Sequence, residues 1–138
     1  MLVRLGIACA LVCGALTLDS VAIAPAAGGE SRTMMRGTTA QKHPVKLAVR
    51  HRSIDMIRFV AKLRCGDGTV LTDYESGFEP TPLRGSRFRD HQEGSTDEVW
   101  FRGKVRGKRV SGKIRVRDRL GKVRCDSRWF SFKASAKR

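Results

Sequence analysis

Arg102–Cys125 reads RGKVRGKRVSGKIRVRDRLGKVRC, with a base at nearly every second position. It is either a disordered basic tail or a set of strands with a charged outer face, and that choice decides the fold. At period two, Val110, Gly112, Ile114 and Val116 face one way, while Ser111, Lys113, Arg115 and Arg117 face the other. Gly103 and Gly107 weaken a helix, and the β-branched residues favour extended backbone. A disordered polyelectrolyte lacks apolar residues at ordered spacing. The stretch therefore predicts antiparallel strands with bases on the solvent side, turning at 106–108 and 117–122.

The same alternation continues outward in both directions. Val123 and Cys125 resume the inward face, and Phe130, Phe132 and Ala134 share one side of the last segment. Upstream, Val45, Leu47, Val49 and His51 alternate with polar or small residues. Ile57, Phe59, Ala61, Leu63 and Cys65 do so more strongly, with Arg58, Lys62 and Arg64 opposite. Gly66–Gly68 is a turn signal, followed by a short strand over 69–74. Residues 75–98 are rich in Gly, Pro and small polar residues and read as loop. They hold one short strand at Ser86–Arg89, a turn at Glu93–Thr96, and Phe78 and Phe88 reaching the core. Trp100 and Trp129 could stack on a ligand, but burial in the core is the expectation. The whole predicts an all-β domain, an antiparallel β-sandwich or barrel-like fold of about seven or eight short strands.

The first residues belong to another class. Residues 1–26 combine a basic start at Arg4, an apolar run over Leu5–Leu18 and the small-residue triplet Ala24-Pro25-Ala26, the pattern of an export signal peptide. The run is about 14 residues, short of the ~20 that span a bilayer. Residues 27–36 are expected to be a flexible leader, and 37–138 a single β domain. The localisation implied is secreted, outside the cell or at the wall, with no membrane span in the mature form. The mature chain keeps two cysteines, Cys65 and Cys125. In an exported protein a lone pair most simply forms one disulfide. A zinc site is not supported, since neither a C-x-x-C nor paired histidines are present.

Parts of the chain resemble a family of small secreted actinobacterial proteins. The likeness lies in GTTAQKHPVKLAV (37–49), a single Cys before a DG turn, FRGKVRGKRVSGKIRV (101–116), CDS (125–127) and WFSFKA (129–134). The family's usual Gly after CDS is Arg128 here, which puts that turn in question. The resemblance implies an exported β-sandwich with a Cys65–Cys125 bond. The family has no assigned activity, so no catalytic residues carry over.

Charge bears most directly on function. The formal net charge is +15, unevenly placed. Val99–Arg128 holds 12 bases against 2 acids, and Cys65–Glu98 holds 3 bases against 8 acids. The candidate anion-binding residues are Arg102, Lys104, Arg106, Lys113, Arg115 and Arg117. Their expected partner is an anionic polymer or an acidic protein. The competing expectation is a solvated face, or one neutralised by the acids of 65–98. No groove-reading motif points to sequence-specific nucleic-acid recognition. No catalytic residues, cofactor or metal are expected. The histidines at 43, 51 and 91 lack ligand spacing, no G-x-S-x-G is present, and GKVRGKR departs from a phosphate loop. The alternative is a small hydrolase using a carboxylate pair from 65–98.

Overall fold

The computed structural model describes residues 31–77 and 80–136, with side chains described for all of these except 73–77. Residues 1–26, read above as an export peptide, residues 27–30 of the expected leader, and Phe78 lie outside the described residues. Ten strands and no helix make up the described chain. They are β1 (Thr33–Thr39), β2 (Pro44–Arg50), β3 (Ser53–Cys65), β4 (Val70–Gly77), β5 (Thr81–Pro82), β6 (Arg87–Glu93), β7 (Asp97–Arg106), β8 (Arg109–Leu120), β9 (Val123–Asp126) and β10 (Phe130–Ala136). All pairings are antiparallel. The opening stretch is indeed strand, as its alternation requires.

Four expectations are corrected. The strands number ten, not seven or eight. Residues 33–36 are not leader: they begin β1, which lies between β2 and β10. Met35 is the one residue of these four that is buried, so alternation there is too short to read. Likewise β6 runs on to Glu93, pairing with Glu98–Lys104 of β7, beyond the short strand expected at 86–89. Its inward positions after Phe88 are the polar Asp90 and Gln92, which hide the period. Finally, β8 continues to Leu120, and only Gly121 and Lys122 turn. Gly107 and Gly121 have φ of 54° and 60°, the left-handed conformation that tight hairpins need.

The sheet curls into a closed barrel. The pairings form a ring, β10–β1–β2–β3–β9–β8, closed by β8–β10. β7 and β6 extend it beyond β8, and β4 and β5 flank β3. The inward faces supply one core in which Leu47, Ile57, Phe59, Leu63, Phe101, Ile114 and Phe132 are all but completely buried. Gly103 and Gly112 are inward positions paired across β7 and β8. A Cβ at Gly103 would meet the Phe88 ring, and one at Gly112 the Phe132 ring. The two rings fill the space those side chains would take.

The barrel tapers. At one end β10, β1 and β2 separate β8 from β3. At the other, β9 alone spans the gap, pairing with Arg64 and Cys65 of β3 and with 117–120 of β8. Cys65 and Cys125 face each other there and are joined by a disulfide, with Cα atoms 3.9 Å apart. Between the β2- and β9-paired stretches of β3, the Gln41 side-chain amide takes the place of a strand. Its Oε1 accepts from the Lys62 N–H at 2.8 Å, and its Nε2 donates to the Lys62 carbonyl at 3.1 Å. Ser127 fills the matching interval on β8, where its Oγ accepts from the Val116 N–H at 2.8 Å.

Candidate functional site

The outward positions of β6, β7, β8 and β10 line up by register into rows. One row is Arg87, Lys104, Ser111 and Lys133; the next is Arg89, Arg102, Lys113 and Ser131. A third, toward the β7–β8 hairpin, is Arg106, Arg109, Ser135 and Arg36. Directly opposed residues hold their Cβ atoms about 4.5–5.5 Å apart. Arg87–Lys104, Arg89–Arg102, Arg102–Lys113 and Arg106–Arg109 are therefore like-charge neighbours, a destabilising arrangement in a sheet. Among the described residues none of these seven bases forms an ion pair.

The rows line a trough. Small hydroxyl and glycine positions on β8 and β10 make its floor, and long basic side chains rise on both sides. Its main part encloses about 1010 Å³, walled on one side by Pro82, Arg84 and Arg87. A second part of about 510 Å³ continues toward Arg36 and Arg109, sharing Lys104, Arg106, Ser111 and Lys133 with the first. Among the described residues, no Asp or Glu lines either part. Two buried rings, Phe88 and Phe132, lie just beneath the floor, where Gly103 and Gly112 thin the sheet.

The six candidate bases divide. Arg102, Lys104, Arg106 and Lys113 come together in the trough. Arg115 and Arg117 also point outward but are committed elsewhere. Arg115 donates to both carboxylate oxygens of Asp126, from Nε to Oδ1 at 3.1 Å and from Nη2 to Oδ2. Arg117 Nε lies 3.4 Å from Asp126 Oδ2. Burial pushes the Asp126 carboxyl up, but the Arg115 hydrogen bonds, the Arg128 N–H and the two guanidinium charges overcome it and hold the group below its usual value. The Asp126 hydrogen bonds in turn raise Arg115 above its ordinary value. Sequence reasoning missed Arg36, Arg87, Arg89 and Lys133. The last three flank inward phenylalanines at strand period, which is a readable signal; Arg36 was hidden in the supposed leader.

Both tryptophans lie on the outer face, correcting their expected burial. Trp129 is 39% exposed, with the Arg102 guanidinium 4.5 Å from its ring centroid. Trp100 stacks on His91, centroids 4.7 Å apart and planes within 5°, with Arg117 5.2 Å and Arg115 5.9 Å from its ring. Cations at these distances are attracted to the indole faces. Together with Arg89, Asp90, Phe101 and Arg102, the two indoles line a notch of about 290 Å³ at the end of the trough.

The carboxylates of 65–98 do not converge among the described residues. Asp67 accepts from the Thr69 N–H at 2.9 Å in the β3–β4 turn, a bond that lowers its pKa. Asp90 accepts from the Thr81 hydroxyl at 2.7 Å and from Gln92 at 3.0 Å. Glu93 and Glu98 are opposed on β6 and β7, and the Glu93 side chain is 70% exposed, open to water rather than set in a cleft. A cleft of about 490 Å³ near β9 mixes Glu98, Asp118 and Asp126 with Arg117, Arg119 and Arg124. Asp126 is held ionised there, which does not suit a general acid. No group of three or more His, Cys, Asp or Glu among the described residues could hold a metal ion. Comparison with known proteins finds no matching family model, no matching curated protein and no matching solved structure, so the trough itself carries the functional reading.

Proposed function

We propose that this chain is an exported, non-catalytic binding protein that holds an anionic polymer along the β6–β7–β8–β10 trough. One observation carries the reading: bases opposed across two strand pairs, β6–β7 and β7–β8, in a concave surface, with no carboxylate among the described residues to neutralise them. Such a sheet face is self-repelling when empty. A chain of phosphate, sulfate or carboxylate groups relieves that repulsion and releases its own counterions on binding. Guanidinium groups dominate, and they bind such oxyanions in bidentate fashion. The disulfide suits an oxidising compartment, and the N-terminal apolar stretch supplies a route to one.

The test is retention on immobilised inorganic polyphosphate as a function of salt. Retention should fall steeply with ionic strength, and the double variant Lys104→Glu with Lys113→Glu should abolish it. The same variant should be more stable than the parent at low salt, because each reversal turns a repelling cross-strand pair into an attracting one. Arg115→Gln should leave retention nearly unchanged. Retention that survives the double reversal, or that does not respond to salt, would overturn the proposal.

A further inference from the structure

We infer that the polymer is a hydroxyl-rich anionic polysaccharide, held with one sugar ring against Trp129 in the notch at the trough's end. This rests on the trough being an anion site and adds the class of ligand. Concavity is the first argument. A bilayer surface would meet only the rims, whereas a single flexible chain can follow the floor. The second argument concerns aromatic rings. Single-stranded nucleic acid is held by side chains on which successive bases stack. Among the described residues, the only rings along this floor are Phe88 and Phe132, buried to 3% and 2% exposure. A run of bases would find nothing to stack on there.

The floor instead presents Thr38, Ser111, Ser131 and Ser135 between the bases. A hydroxyl both donates and accepts. That duality suits a ligand with hydroxyls of its own, and is half wasted on polyphosphate, which only accepts. The notch supplies the rest. Trp129 is exposed beside Arg102, a base of the second row, so an anion on that row places its next ring over the indole. At about 290 Å³ the notch lies at the small end of ligand clefts and has room for one ring. The apolar face of a pyranose packs on an indole as other apolar surface does, while its hydroxyl edge stays in water.

The experiment titrates the disulfide-bonded protein with polygalacturonate, inorganic polyphosphate and oligo(dT) at one ionic strength, following tryptophan fluorescence and the dissociation constant. Polygalacturonate should perturb the indole emission and bind more tightly than oligo(dT). Trp129→Ala should weaken polygalacturonate about tenfold, a usual effect of losing one aromatic stacking contact, while polyphosphate is unaffected. Trp129→Phe should recover part of the loss. Equal binding of polygalacturonate by Trp129→Ala and the parent, or tighter binding of oligo(dT), would overturn this inference and leave the anion site standing. Failure of all three polymers to bind would overturn the anion site itself.

Discussion

Arg128 has φ of 54°, a conformation that costs an L-residue with a Cβ roughly 1–2 kcal/mol. The turn holds it there. Its N–H donates to Asp126 Oδ1 at 2.7 Å, and its carbonyl accepts from the Ser127 hydroxyl at 2.8 Å. The turn thus keeps a conformation that glycine adopts freely, without a glycine. Arg128→Gly should therefore raise the midpoint of thermal unfolding, with a gain of up to about 1 kcal/mol after glycine's extra unfolded-state entropy is deducted. Asp126 makes a second prediction. Its folded pKa is depressed, so its stabilisation is present above the unfolded carboxylate value and is lost as pH falls through the folded one. Asp126→Asn should destabilise the protein by roughly 1 kcal/mol near neutral pH, partial exposure limiting the effect. The difference between parent and variant in urea melts should close as pH drops below about 4.

Strands were legible where apolar residues alternated for long enough. Ile57–Cys65 of β3 and Val110–Val116 of β8 place five and three buried apolar residues on one face, as the period requires. β1 and β6 were obscured because one buried methionine, or one phenylalanine followed by Asp90 and Gln92, does not make a period. The trough was half legible for the same reason. Alternation put Arg102, Lys104, Arg106 and Lys113 on one face, but register with β6 and β10 lies in pairing, not in spacing. No spacing rule could foresee that Asp126, one residue after the disulfide, would claim Arg115 and Arg117. The Gly103–Gly112 pair is the element-scale device that can be tested. A Cβ at Gly112 would meet the Arg102 carbonyl and the Phe132 ring. Gly112→Val should cost about 1–3 kcal/mol in denaturant melts, as overpacking does, and should weaken polyphosphate retention by spreading β7 from β8.

At the scale of the whole molecule the cross-link and the charge act in opposite directions. A net charge of +15 on 138 residues repels itself, most of all in the trough. The disulfide closes a loop across a sequence separation of 60, which the chain-entropy account values at about 4 kcal/mol. It does so at the narrow end, where only Arg64–Asp126 and Cys65–Cys125 join β3 to β9 in register. Replacing both cysteines with serine should lower stability by roughly that amount. Amide hydrogen exchange should then speed up first in β9. β1 has a consequence of a different kind. Its two neighbours are β2, which follows it directly, and β10, the last strand in the chain. During synthesis one rim of β1 therefore stays bare until Phe130–Ala136 emerges. Closure is a late, long-range event, so folding should be slow for so short a chain, and a nascent product stalled before residue 130 should be sticky.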